Sequence, residues 1–204
     1  VEVLPEEAAL RTATSIRVLL VDDEEGQMEL TKLSLENADP TLTITVTPKP
    51  FFAVRLLSDQ PFDCIVSDYQ MPEMNGIQLC IEVKKTRTIP FIVYTARGSE
   101  EVAEKAFSVG VDDYVRKEME LSHFKILAKR IRHAVEKNRA EVALQDSRDQ
   151  LNSMMERITD NFFALDPEWR YVYANDSALR TLRKTREEII GRVVWDVFPD
   201  LAGT

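Results

Sequence analysis

Cysteine is scarce: Cys64 and Cys80 are the only two in 204 residues. They are too few and too far apart for a CxxC redox pair or a zinc cage, so both are read as reduced core thiols. Long apolar runs are missing as well. None approaches the roughly 18 residues of a membrane span, which excludes a bilayer-crossing helix. Basic charge is in deficit, 26 Lys and Arg against 35 Asp and Glu for a net −9. That balance argues against nucleic acid as a partner, because sequence-independent binding to phosphate backbones needs basic surface. The N-terminus has no charged-then-apolar leader, so the cytoplasm is the expected compartment, and the chain reads as a piece of something longer.

What is present is the make-up of a soluble globular protein, 44% hydrophobic and 30% charged, long enough for one sizeable domain and a smaller unit. Residues 1–15 show no sustained period and are expected to form a flexible leader. Five short β-rich runs follow, "IRVLLV" (16–21), "LTITV" (42–46), "FDCIV" (62–66), "PFIVY" (90–94) and "DDYVR" (112–116). The segments between them carry helical period. Ile77, Cys80 and Ile81 share one face, as do Val102, Ala103, Ala106 and Phe107, with Gly110 placed to stop that helix, and Leu30 and Leu33 seed an earlier one. Strands alternating with helices predict an α/β, doubly wound parallel sheet with its ligand crevice at the carboxyl ends of the strands.

From about Leu121 to Asp160 the strands cease, and neither proline nor glycine interrupts a charged helical stretch. Ala140, Leu144, Ser147, Leu151, Met154 and Ile158 alternate in steps of four and three, an a/d seam. It fits either one amphipathic helix lying on a neighbouring domain or a parallel two-stranded coiled coil. The polar flanks "KNRAE" and "QDSRDQ" favour the coil.

The crevice collects acids. Asp22 and Asp23 follow the first strand, with Glu24 next, and Asp68 follows the third. An Asp at a strand end often serves only a turn. Several together are different, because like charges about 4 Å apart cost on the order of 4 kcal/mol per pair unless a cation or proton joins them. Hard oxygen ligands with room for water suit Mg²⁺, and an open magnesium site is also a phosphate site. The fourth strand leads to Thr95, a hydroxyl able to bond a phosphoryl oxygen, and the fifth to Lys117, a mobile point charge able to neutralise one.

Residues 16–135, through "LLVDDEE", "SDYQMPEMNG", "YTA" and "GVDDYVRK", resemble the receiver domain of two-component response regulators. The resemblance implies a flavodoxin-like five-stranded sheet of order 2-1-3-4-5. It implies that Asp68 is the phosphoacceptor, taking a phosphoryl group from a histidine kinase or phosphotransfer protein. Asp23 and Asp68 would ligate Mg²⁺ with the backbone carbonyl of Gln70, and Asp22 would assist. Thr95 and Lys117 would hold the phosphoryl oxygens, Thr95 and Tyr114 would act as the switch, and Gln70 and Arg97 would flank the path of attacking water. The changed surface would be the face of the fourth and fifth helices and the fifth strand. The domain would be a self-catalysing phosphoacceptor, not an enzyme. In one respect the chain departs from the family: Glu118, not proline, follows Lys117. A strained cis bond there, or a trans bond with a shifted loop, are both open.

The C-terminal residues "ITDNFFALD", "YVYAN" and "EEIIGR" resemble the opening part of a PAS sensor domain. The expected organisation is leader 1–15, receiver 16–135, helical or coiled-coil linker 136–158 and truncated, partial α+β PAS-like segment 159–204. The last segment is too short for a complete core. It is expected to be disordered or rescued by pairing with another copy, because Phe162, Phe163, Trp169, Tyr171 and Tyr173 would otherwise be exposed, and no haem, flavin or other ligand is assigned to it. A homodimer through the linker helix or the 4-5-5 face is expected.

Two other classes fit parts of the pattern. A magnesium phosphatase of the haloacid dehalogenase type also has a nucleophilic Asp, but in a DxD motif after its first strand. A non-phosphorylated scaffold would share the fold without needing the set Asp23, Asp68, Thr95 and Lys117.

Overall fold

The computed structural model describes residues 15–96, 99–118, 120, 122–156 and 160–199. Almost all of the leader, and also Arg97 and Ile158, lie outside them. The chain divides after Ala140 into two compact units.

The first unit holds five strands, β1 (Ile16–Val21), β2 (Leu42–Thr47), β3 (Cys64–Ser67), β4 (Phe91–Thr95) and β5 (Asp113–Arg116). Between them run α1 (Glu25–Ala38), α2 (Pro50–Asp59), α3 (Gly76–Lys84) and α4 (Glu100–Ser108), and α5 (Ser122–Glu156) follows β5. The strands form one parallel sheet in the order β2-β1-β3-β4-β5. Each central strand alternates between two cores, as a strand covered on both faces must. Val18, Leu20, Val66, Ile92 and Tyr94 face one side with Leu127 and Ile131 of α5, and Leu19, Val21, Ile65, Phe91 and Val93 face the other with Leu79 of α3.

Four of the five strands shift by one or two residues from their predicted bounds. β3 starts at Cys64, not Phe62, because the Asp63 carboxylate turns back to accept from the Arg17 N–H at 2.9 Å and the Arg139 guanidinium at 2.9 Å. β4 extends one residue further, so Thr95 closes the strand.

The helices form where expected, but some of their apolar residues face outward. In α1 the sheet is met by Met28, Thr31 and Leu35, and Leu30 and Leu33 are exposed. Ile81 of α3 and Phe107 of α4 are exposed too. The stripe around Phe107 narrows to Ala106, the one fully buried side chain of that helix. α5 packs through Phe124, Leu127, Ala128, Ile131 and Val135, a helical-period stripe, and continues without a break to Glu156.

Asp39, paired with Arg132 and Thr41, and Asp63, paired with Arg139 and Arg17, tie α5 to the sheet's lower edge. Burial pushes both carboxyls up, but these hydrogen bonds outweigh it and hold both below the ordinary value. A lowered folded pKa stabilises above the unfolded value of about 3.9 and is lost as pH falls through the folded one. Urea unfolding is therefore expected to show stability falling below about pH 4, with a flatter profile in Asp63→Asn. An unchanged slope in that variant would contradict the assignment.

The second unit contains an antiparallel pair, β6 (Phe163–Leu165) and β7 (Tyr171–Ala174), followed by α6 (Asp176–Leu182), α7 (Arg186–Ile189) and α8 (Val194–Val197). The turn is built by Asp166, whose carboxylate accepts from the N–H groups of Glu168 and Arg170, with Trp169 at φ 63°. Buried Asn175 caps α6 by accepting from Ala178 N–H and also accepts from Phe162 N–H. The segment does have a small core of its own, Tyr171, Ala174, Ala178, Ile189 and Val194. Tyr171 is thus buried, not exposed as expected, because it faces inward in β7 toward α7 and α8. Tyr173 is half-buried, and Phe162, Phe163 and Trp169 are exposed. No described helix is long and apolar enough to cross a membrane.

Candidate phosphoryl site

The parallel register brings the strand ends to one edge. Val21 is level with Thr47 and Ser67, Ser67 with Val93, and Thr95 with Arg116. The residues just past those ends meet at the point where the chain order reverses between β1 and β3, the place where open α/β sheets take ligands. Asp22, Asp23, Glu24, Asp68, Gln70, Thr95, Ala96 and Lys117 line a cavity of about 430 Å³ there.

Lys117 organises it. Its backbone N–H donates to Thr95 O at 2.8 Å, and its Nζ lies 2.7 Å from Asp22 Oδ2 and 3.0 Å from Asp68 Oδ1. These three side chains are nearly buried, at 9%, 3% and 10% exposure, so water screens the pairs weakly. Burial works against the ammonium, but the hydrogen bonds and charges of Asp22 and Asp68 hold it protonated above the ordinary lysine value. The cation that the acid cluster needs is thus supplied by the chain itself. The Lys117–Glu118 bond is trans. The amine reaches both carboxylates without the family's proline.

The second oxygen of Asp68, Oδ2, accepts from the Gln70 N–H at 2.7 Å, and Asp22 Oδ1 accepts from the Glu24 N–H at 3.0 Å. Both carboxylates are therefore oriented before any ligand arrives. The β3–α3 loop is shaped by Glu73 at φ 68° and by the Asn75–Gln78 capping box. Gly76 is required for another reason. A Cβ there would lie 2.3 Å from the Asp68 carbonyl oxygen.

Tyr114 lies off the cavity lining, half-buried in β5 among the α3-side core, and its hydroxyl is buried with no hydrogen-bond partner among the described residues. Burial raises its pKa above the ordinary phenol value; Arg116 opposes this, and Tyr69 and Asp68 add to it. Sequence reasoning missed the roles of Tyr94, whose ring lies under the Lys117 amine, and of His123, which stacks on that ring; the "YTA" run contains Tyr94 but points only to Thr95.

Among the described residues no three acidic, His or Cys side chains stand close enough to form a ready-made metal cage. The donor chemistry nevertheless fits Mg²⁺, which retains waters and takes one or two carboxylates together with phosphate oxygens. The hard oxygens of Asp22, Asp23 and Asp68 share one open cavity.

A doubly wound sheet with an acid, hydroxyl and lysine set at its switch point defines a class. The model of the response regulator receiver domain matches residues 18–132, and the chain belongs to that family, whose members are signalling modules of two-component systems. The PAS fold model matches residues 155–204. A stretch of 103 residues is 33% identical to the transcriptional regulatory protein SrrA of Staphylococcus aureus, covering 50% of this chain and 42% of that protein. The chain thus spans less than half of the curated relatives it matches. The receiver domain of the Francisella response regulator 1452 is 26% identical with a TM-score of 0.52, covering 58% of this chain and 98% of that one. The non-phosphorylated HemR receiver domain of Leptospira biflexa is 29% identical, with a TM-score of 0.51 and coverages of 58% and 94%. The family binds Mg²⁺ at its phosphorylation site and interacts with histidine kinases and phosphotransfer proteins.

Proposed function

We propose that Asp68 accepts a phosphoryl group from a phosphohistidine on a partner kinase or phosphotransfer protein. The observation that carries the reading is the Lys117 amine shared by Asp22 and Asp68 in a cavity edged by Thr95. A carboxylate oxygen of Asp68 attacks phosphorus, the P–N bond breaks as the P–O bond forms, and the leaving imidazole keeps the electron pair and takes up a proton from solvent. A carboxylate nucleophile needs no general base, so the chain supplies position and charge. Asp68 is held in place through the Gln70 N–H. Lys117 neutralises the charge gathering on the phosphoryl oxygens, and the Thr95 hydroxyl donates to one of them. Asp22, Asp23, Asp68 and the Gln70 carbonyl would hold Mg²⁺, which when bound adds charge neutralisation at those oxygens.

Thr95 and Tyr114 form the switch in this reading. A buried, unpartnered hydroxyl carries a free-energy cost, which favours a second rotamer once Thr95 shifts toward the phosphoryl group. The altered surface is that of α4, β5 and α5. The receiver is taken to span residues 16–135, the linker 136–158 and the PAS-like segment 159–204, with the cytoplasm as the compartment and no nucleic acid as a direct partner.

The linker is taken to pair with a second copy. Leu144, Leu151 and Met154 are 62%, 54% and 63% exposed along the helix, at a/d spacing. Leu151→Lys is expected to weaken self-association about tenfold or more in sedimentation. Unchanged association would remove the seam as the dimer element.

Incubation with acetyl phosphate and Mg²⁺, read by intact mass, tests the main reading. A gain of one phosphoryl group that hydroxylamine removes, as it removes acyl phosphates, is expected. Multiple-turnover hydrolysis of organic phosphates would instead favour the phosphatase reading, and no modification the scaffold.

A further inference from the structure

Lys117 touches more than its two carboxylates. Its ammonium lies over the Tyr94 ring, 5.6 Å from the centroid. The same ring stacks on His123, with centroids 5.6 Å apart and planes 15° from parallel. Tyr94 and His123 are both buried, at 2% and 5% exposure. Burial pushes the Tyr94 phenol up to about 12, with the charges of Asp22 and Glu118 adding, so the ring stays neutral and offers its face to the cation.

His123 is oddly satisfied for a buried imidazole. Its Nε2 has no hydrogen-bond partner among the described residues, and its Nδ1 is 3.8 Å from the exposed Glu118 carboxylate. Its ring stacks on Tyr94 and makes an edge contact to Phe124. An orphaned ring nitrogen carries a free-energy cost, so the plane of the ring, not its polarity, is what this position uses. The stack stands where the chain has Glu118 in place of a proline to shape the turn after Lys117. Without it a four-carbon stem between two carboxylates would sample several rotamers.

We propose that Tyr94 and His123 are positioning residues that hold the Lys117 amine between Asp22 and Asp68, a role that rests on the phosphoacceptor reading. Tyr94 supplies the face along which the amine is aligned. His123, in the first turn of α5, fixes the tilt of that ring and thereby joins the site to the long helix.

The test uses the full chain with Tyr94→Leu, Tyr94→Phe, His123→Ala and His123→Phe. Two readouts are taken: the rate of Lys117 acylation by acetic anhydride, normalised to Lys84, and phosphoryl uptake from acetyl phosphate with Mg²⁺. Lys84 is paired with Asp112, away from the site, and reports general loosening. Tyr94→Leu and His123→Ala are expected to raise Lys117 acylation about fivefold and to slow uptake by a similar factor, while both Phe variants stay within about twofold of the parent. The proposal is overturned if Lys117 acylation does not change in Tyr94→Leu and His123→Ala, if it rises only in step with Lys84, or if the Phe variants behave like the truncations. A parent that takes up no phosphoryl group would sink the phosphoacceptor reading alone, because Lys117 acylation still decides whether the stack holds the amine.

Discussion

Lys117→Met is expected to slow phosphoryl acceptance by about 10²- to 10³-fold, the range seen when one preorganised charge-stabilising group is removed from a buried site. Lys117 is the one cation among the described residues lining the cavity, which it shares with Asp22, Asp23, Glu24 and Asp68. Met keeps a four-atom stem and removes the ammonium with its charge and its hydrogen bonds. Stability should fall as well. Asp22 and Asp68 would be left nearly buried without their partner, and breaking such a pair costs about 3 kcal/mol or more. The pH dependence has a definite sign. A raised lysine pKa stabilises fully below the unfolded value of about 10.4 and is lost as pH rises through the folded value. The parent should therefore lose its advantage over Lys117→Met in strong alkali. Urea unfolding across pH and uptake kinetics measure both effects, and a variant with parental uptake would remove Lys117 from the mechanism.

Gly76→Ala is expected to cost about 2–4 kcal/mol, a large effect for one methyl group. The added Cβ would meet the Asp68 carbonyl oxygen at 2.3 Å and the Asp68 carbonyl carbon and Tyr69 Cα at 3.2 Å. All three are backbone atoms, so no side-chain rotation relieves the clash. Gly76 N–H also donates to Tyr69 O at 3.0 Å, which pins α3 against the loop carrying Asp68 and Gln70. Shifting that loop should slow phosphoryl uptake along with lowering the urea midpoint. An alanine variant with parental midpoint and uptake would show that the close approach is not needed.

The sheet was legible because its strands carry a signal that packing does not override. Each run in β1, β3 and β4 is nearly all apolar, and the polar residues just past them are forced to one edge by parallel register. This is why Asp22, Asp23, Asp68, Thr95 and Lys117 could be grouped before any coordinates, whereas Gln70 came from the family resemblance alone. Which helical face docks was not legible. Leu30 and Leu33 make a plausible stripe, yet α1 buries Met28, Thr31 and Leu35, because the docking angle is chosen by the sheet. Periodicity also could not tell that Phe107 lies beyond the edge of a stripe centred on Ala106. In the second unit, Tyr171 is inward because α7 and α8 cover it, and such cover is invisible in a fifty-residue window.

Within the site, the twofold pairing of Lys117 was not foreseeable. The absent proline left open a strained cis bond or a trans bond with a shifted loop; the bond is trans, and the amine stands on both carboxylates beside the Tyr94 ring. Tyr94 and His123 lie 29 positions apart, and each alone reads as an ordinary core aromatic.

The central claim is that Asp68 is the residue modified, and borohydride reduction tests it directly. Reduction turns an aspartyl phosphate into homoserine, so the full chain treated with acetyl phosphate and Mg²⁺, reduced and mapped by peptide mass, should carry homoserine at position 68. Asp68→Asn should carry none at any position. Homoserine at Asp22 or Asp23 in the parent, or undiminished phosphoryl uptake by Asp68→Asn, would contradict the account.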